Sequence, residues 1–150
     1  MKSLVVYDSV YGNTRTIAQA IGDALPGEVE VRMAGAVSTS DMEGCDLLIV
    51  GAPTHGGQPT EAPAGFLEGI QPSALKGVKV AAFDTRLTAK WVRIFGYAAP
   101  KIAARLEEKG GTLVGQPGDF YVKGRRGPLL DGEVERATAW AGELVTKESV

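Results

Sequence analysis

The chain is poor in the residues on which several chemistries depend. Its 150 residues include one cysteine and one histidine. A lone cysteine excludes an intrachain disulfide framework. Cys45 and His55 together fall short of the ligand set of a zinc site. Cys45 stands just before an apolar run and reads as a core thiol rather than a nucleophile. No apolar run approaches the length of a membrane span. The one in the opening "MKSLVVYDSV" breaks at Asp8, too early for a secretory signal. Charge of one sign is also lacking. Lys and Arg total 16 against 18 Asp and Glu, so no basic footprint for nucleic acid exists. There is no G-x-G-x-x-G and no G-K-[ST], which excludes the dinucleotide fingerprint and the Walker A loop. These absences set the expectation of a cytoplasmic protein with no membrane or nucleic-acid partner.

What is there alternates. "SLVVY" at 3–7 reads as a buried strand, and 14–25 carries Ile17, Ala18, Ile21 and Leu25 at helical spacing. "PG" at 26–27 stops that helix, and "EVEVRM" alternates as a second strand. "CDLLIVGAP" is a third strand, 62–70 a short helix and "GVKVAAFD" a fourth strand. A helix over 97–111 has Pro100 in its first turn and Gly110-Gly111 at its end. "TLVGQPGDFYV" supplies a fifth strand that Pro117-Gly118 can interrupt. The last helix, 131–147, places Val134, Ala137, Ala141, Leu144 and Val145 on one side. Unalternating strands separated by helices imply one α/β domain over 1–150, a doubly wound parallel sheet covered on both faces.

Such sheets bind ligands outside the carboxyl ends of their strands. The loop after the first strand is "DSVYGNTRT". A helix N-terminus offers unpaired N–H groups and partial positive charge. Ser9 and Thr14 add hydroxyls, Asn13 an amide, and Gly12 lets the chain wrap closely. The loop therefore reads as a phosphate cradle without a lysine, or as a capped helix start with Ser9 or Asn13 as cap.

The motif Ser9-Val10-Tyr11-Gly12-Asn13-Thr14 resembles the phosphate loop of flavodoxins. "VGAPTHGGQPTEAPAGFLEGI" resembles their second flavin loop, and "GVKVAAFDTR" the fourth strand and start of the third. The resemblance implies a five-stranded sheet of order 2-1-3-4-5 and non-covalently bound FMN. It places Pro53, Thr54, His55, Gly56 and Gly57 against the flavin ring; His55, at a position often held by a stacking aromatic, reads equally as a solvated loop histidine. The peptide joining Gly56 to Gly57 is the one expected to turn on reduction. The third loop departs from the family: Asp84-Thr85-Arg86 replaces a Gly-x-Gly-Asp pattern, and no tyrosine holds the usual place. Asp84 and Arg86 are read as facing the polar edge of the flavin, Trp91 as its stacking ring or as a packing residue. Arg86 and Lys90 would add positive charge that favours reduced, anionic flavin.

The implied function is single-electron transfer between two redox partner proteins, a reductase and an acceptor. Two other readings stand beside it: an FMN-dependent oxidoreductase acting on a quinone or porphyrinogen, and a flavin-free interaction domain. The basic turn with Lys123, Arg125 and Arg126 is left among three roles: an acidic redox partner, nicotinamide-nucleotide phosphates, or solvent.

Overall fold

A computed structural model describes residues 1–55, 58–88 and 96–148, the side chains of 39, 147 and 148 excepted. Strand β1 (Lys2–Tyr7) leads into helix α1 (Asn13–Ala24), then β2 (Glu28–Met33) and β3 (Leu47–His55). A two-residue strand β4 (Gln58–Pro59) precedes α2 (Glu61–Glu68), β5 (Lys79–Leu87) and α3 (Ala98–Glu108). Two short strands, β6 (Thr112–Leu113) and β7 (Gly118–Val122), precede α4 (Glu133–Glu148).

Successive residues of a strand point to opposite faces, so an unbroken apolar run can serve two cores at once. Leu4 and Val6 of β1, with Leu48, Val50 and Ala52 of β3, pack against Leu67 of α2 and Ile102 and Leu106 of α3. Val5 and Tyr7, with Leu47 and Ile49, pack against Ile17 and Ile21 of α1 and Ala137 and Leu144 of α4. The helices thus cover both faces, two on each. Phe83, Phe120 and Trp140 meet edge to face in the second cluster, with ring centroids 6.1–6.3 Å apart. Gly51 makes room there: a Cβ on it would lie 2.0 Å from the Phe83 ring.

The sheet runs β2-β1-β3-β5-β6, all parallel. Counted by position this is the expected order 2-1-3-4-5. The fifth position, however, is filled twice. Both β6 and β7 pair with β5, at Lys79–Val80 and at Phe83–Leu87 respectively. The interruption includes Gly115, at φ 67°, and Pro117, which has no N–H to give a ladder. Strand β4, antiparallel to β3, was not foreseen.

Helix α4 corrects another expectation. Val134 lies 40 % exposed, outside the buried stripe of Ala137, Ala141 and Leu144. The inward position in that first turn belongs to Glu133, whose carboxylate accepts the Tyr121 N–H at 3.0 Å and pairs with Arg136. Cys45 is buried as expected. Its thiol donates to the Leu47 carbonyl at 3.1 Å, and burial raises its pKa. Among the described residues, no helix is long and apolar enough to cross a membrane.

Candidate cofactor site

Parallel registry brings four strand ends to one edge. Tyr7 pairs with Gly51, Pro53 with Thr85 and Leu87 with Val122. The segments that leave this edge enclose a cleft with about 440 Å³ of empty volume, part of it open to solvent. It is lined from Ser9, Asn13 and Thr14 at one end, past Pro53–His55, to Thr85–Leu87.

The loop after β1 is organised by its backbone. Gly12 sits at φ 92°, a conformation that costs a side-chain-bearing residue about 1–2 kcal/mol. It redirects the chain into α1. Ser9 Oγ accepts the N–H groups of Gly12 at 3.0 Å and Arg15 at 3.3 Å. The carbonyl of Gly12 accepts from Thr16, by N–H at 3.1 Å and by hydroxyl at 3.0 Å. These bonds hold the turn. They leave the N–H groups of Val10, Tyr11, Asn13 and Thr14 without an acceptor among the described residues. Thr14 is buried, so its unpaired N–H calls for an acceptor. Its hydroxyl lies 2.8 Å from that of Thr85. A pair of hydroxyls uses one proton internally and keeps one to donate outward. Ser9, accepting twice, likewise retains its own proton. The N-cap of α1 is Gly12 rather than the expected Ser9 or Asn13; Ser9 accepts N–H groups across the turn and keeps a proton to donate.

The second loop is divided. Pro53, Thr54 and His55 line the cleft, with His55 exposed. Thr54 is also structural: its Oγ1 accepts the Ala98 N–H at the start of α3, at 3.1 Å. Gly56, Gly57, Lys90 and Trp91 lie outside the described residues.

The end of β5 is organised by side chains. Asp84 is fully buried and does not line the cleft. Its carboxylate accepts from Arg86 Nε at 2.8 Å and Nη2 at 2.7 Å, and from the Ala99 N–H at 2.9 Å. Burial pushes the Asp84 carboxyl above the usual carboxylate range, while Arg86 and the Ala99 N–H pull it back. The α3 N-terminus is a favourable neighbour for that charge. Arg86 does line the cleft. Its guanidinium carbon is 3.5 Å from the Tyr97 ring centroid, and Asp119 stands 4.0 Å away. The positive charge expected at Arg86 is present, and a buried carboxylate matches it. The role of Tyr97 was missed, because no local motif marks a ring that meets an arginine eleven residues back.

Arg125 was named in the sequence but given no site. It lines the same cleft. Among the described residues no cluster of three or more His, Cys, Asp or Glu could hold a metal ion.

The comparisons agree with this architecture. The sequence model of the flavodoxin family matches residues 5–140. A flavodoxin from Maridesulfovibrio salexigens is 32% identical, over 97% of this chain and 98% of the relative. The chain is similar to the oxidised Flavodoxin 2 of Bacillus cereus, with a TM-score of 0.83 and 26% identity over 98% of this chain and 99% of that one. An archaeal flavodoxin shares the fold at a TM-score of 0.83, with 22% identity and complete coverage of both chains.

Proposed function

The chain belongs to the flavodoxin family, whose cofactor is FMN, and from that premise we propose that it carries single electrons between a reductase and an acceptor. The residues in the cleft fit the cofactor. The observation that supports this most strongly is the set of N–H groups at Val10, Tyr11, Asn13 and Thr14 that lack an acceptor among the described residues, together with the hydroxyls of Ser9 and Thr14. These donors suit a phosphate at a helix N-terminus. Pro53, Thr54 and His55 form the wall along which the ring would lie, with Gly56, Gly57 and Trp91 proposed from the sequence. Thr85 positions Thr14, and the Asp84–Arg86 pair holds the opposite rim rigid. FMN, when bound, supplies the electron chemistry. The protein's part is to bind it, limit water around it and leave an edge accessible to partners. We place the protein in the cytoplasm. Both apolar clusters share one sheet, which supports a single domain over 1–150.

The test is binding followed by turnover. Purified protein should take up FMN with a change in its visible spectrum, and should bind riboflavin much more weakly. Asn13→Ala should lower FMN affinity by about 1–3 kcal/mol, the scale of a hydrogen bond to a charged group. Equal calorimetric affinity for FMN and riboflavin would remove the phosphate assignment. Rapid NADH- or NADPH-driven quinone reduction without an added reductase would replace the carrier with an enzyme.

A further inference from the structure

Beyond β7 the chain doubles back on itself. Val122 bridges Leu129 in antiparallel fashion. The Lys123 N–H donates to the Pro128 carbonyl at 2.8 Å, and the Leu130 N–H to the Tyr121 carbonyl at 2.9 Å. The tip, Gly124-Arg125-Arg126-Gly127, is closed by a 2.9 Å bond from the Gly127 N–H to the Gly124 carbonyl. The turn noted in the sequence as basic is thus the end of a short hairpin.

That tip lies against the loop after β1. Gly127 has φ 97°, and a Cβ on it would fall 2.6 Å from Asn13 Oδ1. The Arg126 guanidinium carbon is 5.9 Å from the Tyr11 ring centroid. Arg125 lines the same cleft as Ser9, Asn13 and Thr14. Among the described residues no carboxylate pairs with Arg125.

A phosphate monoester is close to a dianion at neutral pH. The donors of the Ser9–Thr14 loop are N–H and O–H groups, which bring partial charges only. A guanidinium brings a full charge and a planar fork of donors suited to phosphate oxygens. Resting on the FMN reading above, we infer that Arg125 is a further phosphate-binding residue. The hairpin tip, seated on Asn13 and Tyr11, supplies the cation that the loop itself lacks. Arg125 thereby tunes the site to the phosphorylated flavin.

The experiment titrates FMN and riboflavin, by flavin fluorescence and calorimetry, into apoprotein of the wild type, Arg125→Gln, Arg125→Lys and Arg126→Gln. Arg125 is exposed, so these variants should fold, which circular dichroism checks. Arg125→Gln should weaken FMN roughly tenfold, equivalent to about 1.4 kcal/mol, and leave riboflavin unchanged. Its FMN affinity should also fall less steeply with added salt. Arg125→Lys should recover part of the loss, and Arg126→Gln should have the smaller effect. A wild-type preference for FMN that survives intact in Arg125→Gln would overturn the proposal alone, and would reassign the tip to partner docking. Wild-type protein that does not prefer FMN to riboflavin would overturn the FMN reading and this proposal together.

Discussion

Two segments at one edge of the sheet, joined by the 2.8 Å contact of Thr14 with Thr85, meet the same problem in opposite ways. At Ser9–Thr14 the side chains carry no charge, and backbone N–H groups are left without an acceptor among the described residues. At Asp84–Arg86 the groups carry full charges that satisfy each other, Asp84 also accepting from the start of α3 while Arg86 lines the cleft. The first is an open site whose unpaired groups await a ligand. The second is a closed site whose groups are already paired. Polar composition alone therefore does not distinguish binding residues from scaffold.

The strongest way to break this contrast is Asp84→Ala. It leaves Arg86, whose side chain is only 10% exposed, without its principal partner, and orphans the Ala99 N–H. Breaking a buried pair in this manner costs about 3–5 kcal/mol. Urea unfolding of the apoprotein should register the loss. A change below about 1 kcal/mol would mean that the pair is not a structural unit, on the same scale.

Gly12→Ala tests the other side. A Cβ there meets nothing within 4 Å, so only the positive φ opposes it. Stability should fall by about 1–2 kcal/mol. FMN affinity should fall as well, because relaxation of φ re-aims the N–H groups. Loss of stability comparable with that of Asp84→Ala would show a packed rather than an open loop.

The smallest expected effect is a pH slope. With its native pKa raised by burial, Asp84 binds a proton more readily folded than unfolded. Its contribution to stability is then present at low pH, and is lost as pH rises from the ordinary carboxylate value through the native one. Asp84→Asn lacks this dependence. The wild-type stability minus that of Asp84→Asn should decline across that window in urea titrations at stepped pH. An increase would show that Arg86 and the α3 N-terminus outweigh burial.

The candidate site was legible where its chemistry is local. Ser9–Thr14 lie within six residues, and glycine at the turn with hydroxyls at a helix start has a direct physical meaning. Arg86 lines the cleft as the sequence suggests, whereas Asp84 does not, because the direction of its carboxylate depends on α3, fourteen residues and more along the chain. The hairpin tip at 124–127 was noticed as basic, yet its neighbour Asn13 is more than a hundred residues away. No spacing rule connects them.

The chain's apolar pattern by itself determined the layered fold, because a strand that is apolar at every position must be covered on both faces, while the strand order was implied only by the resemblance to flavodoxins. The β1 loop followed from backbone chemistry carried by its own residues. Tertiary structure alone decided which polar groups face inward. It put Asp84 under α3, stacked Arg86 on Tyr97, turned Val134 outward in favour of Glu133 and brought Arg125 into the cleft that Ser9 also lines. Each of these depends on long-range packing that sets which side of an element is buried, and burial makes an unpaired charge too costly to leave where the sequence alone would allow it.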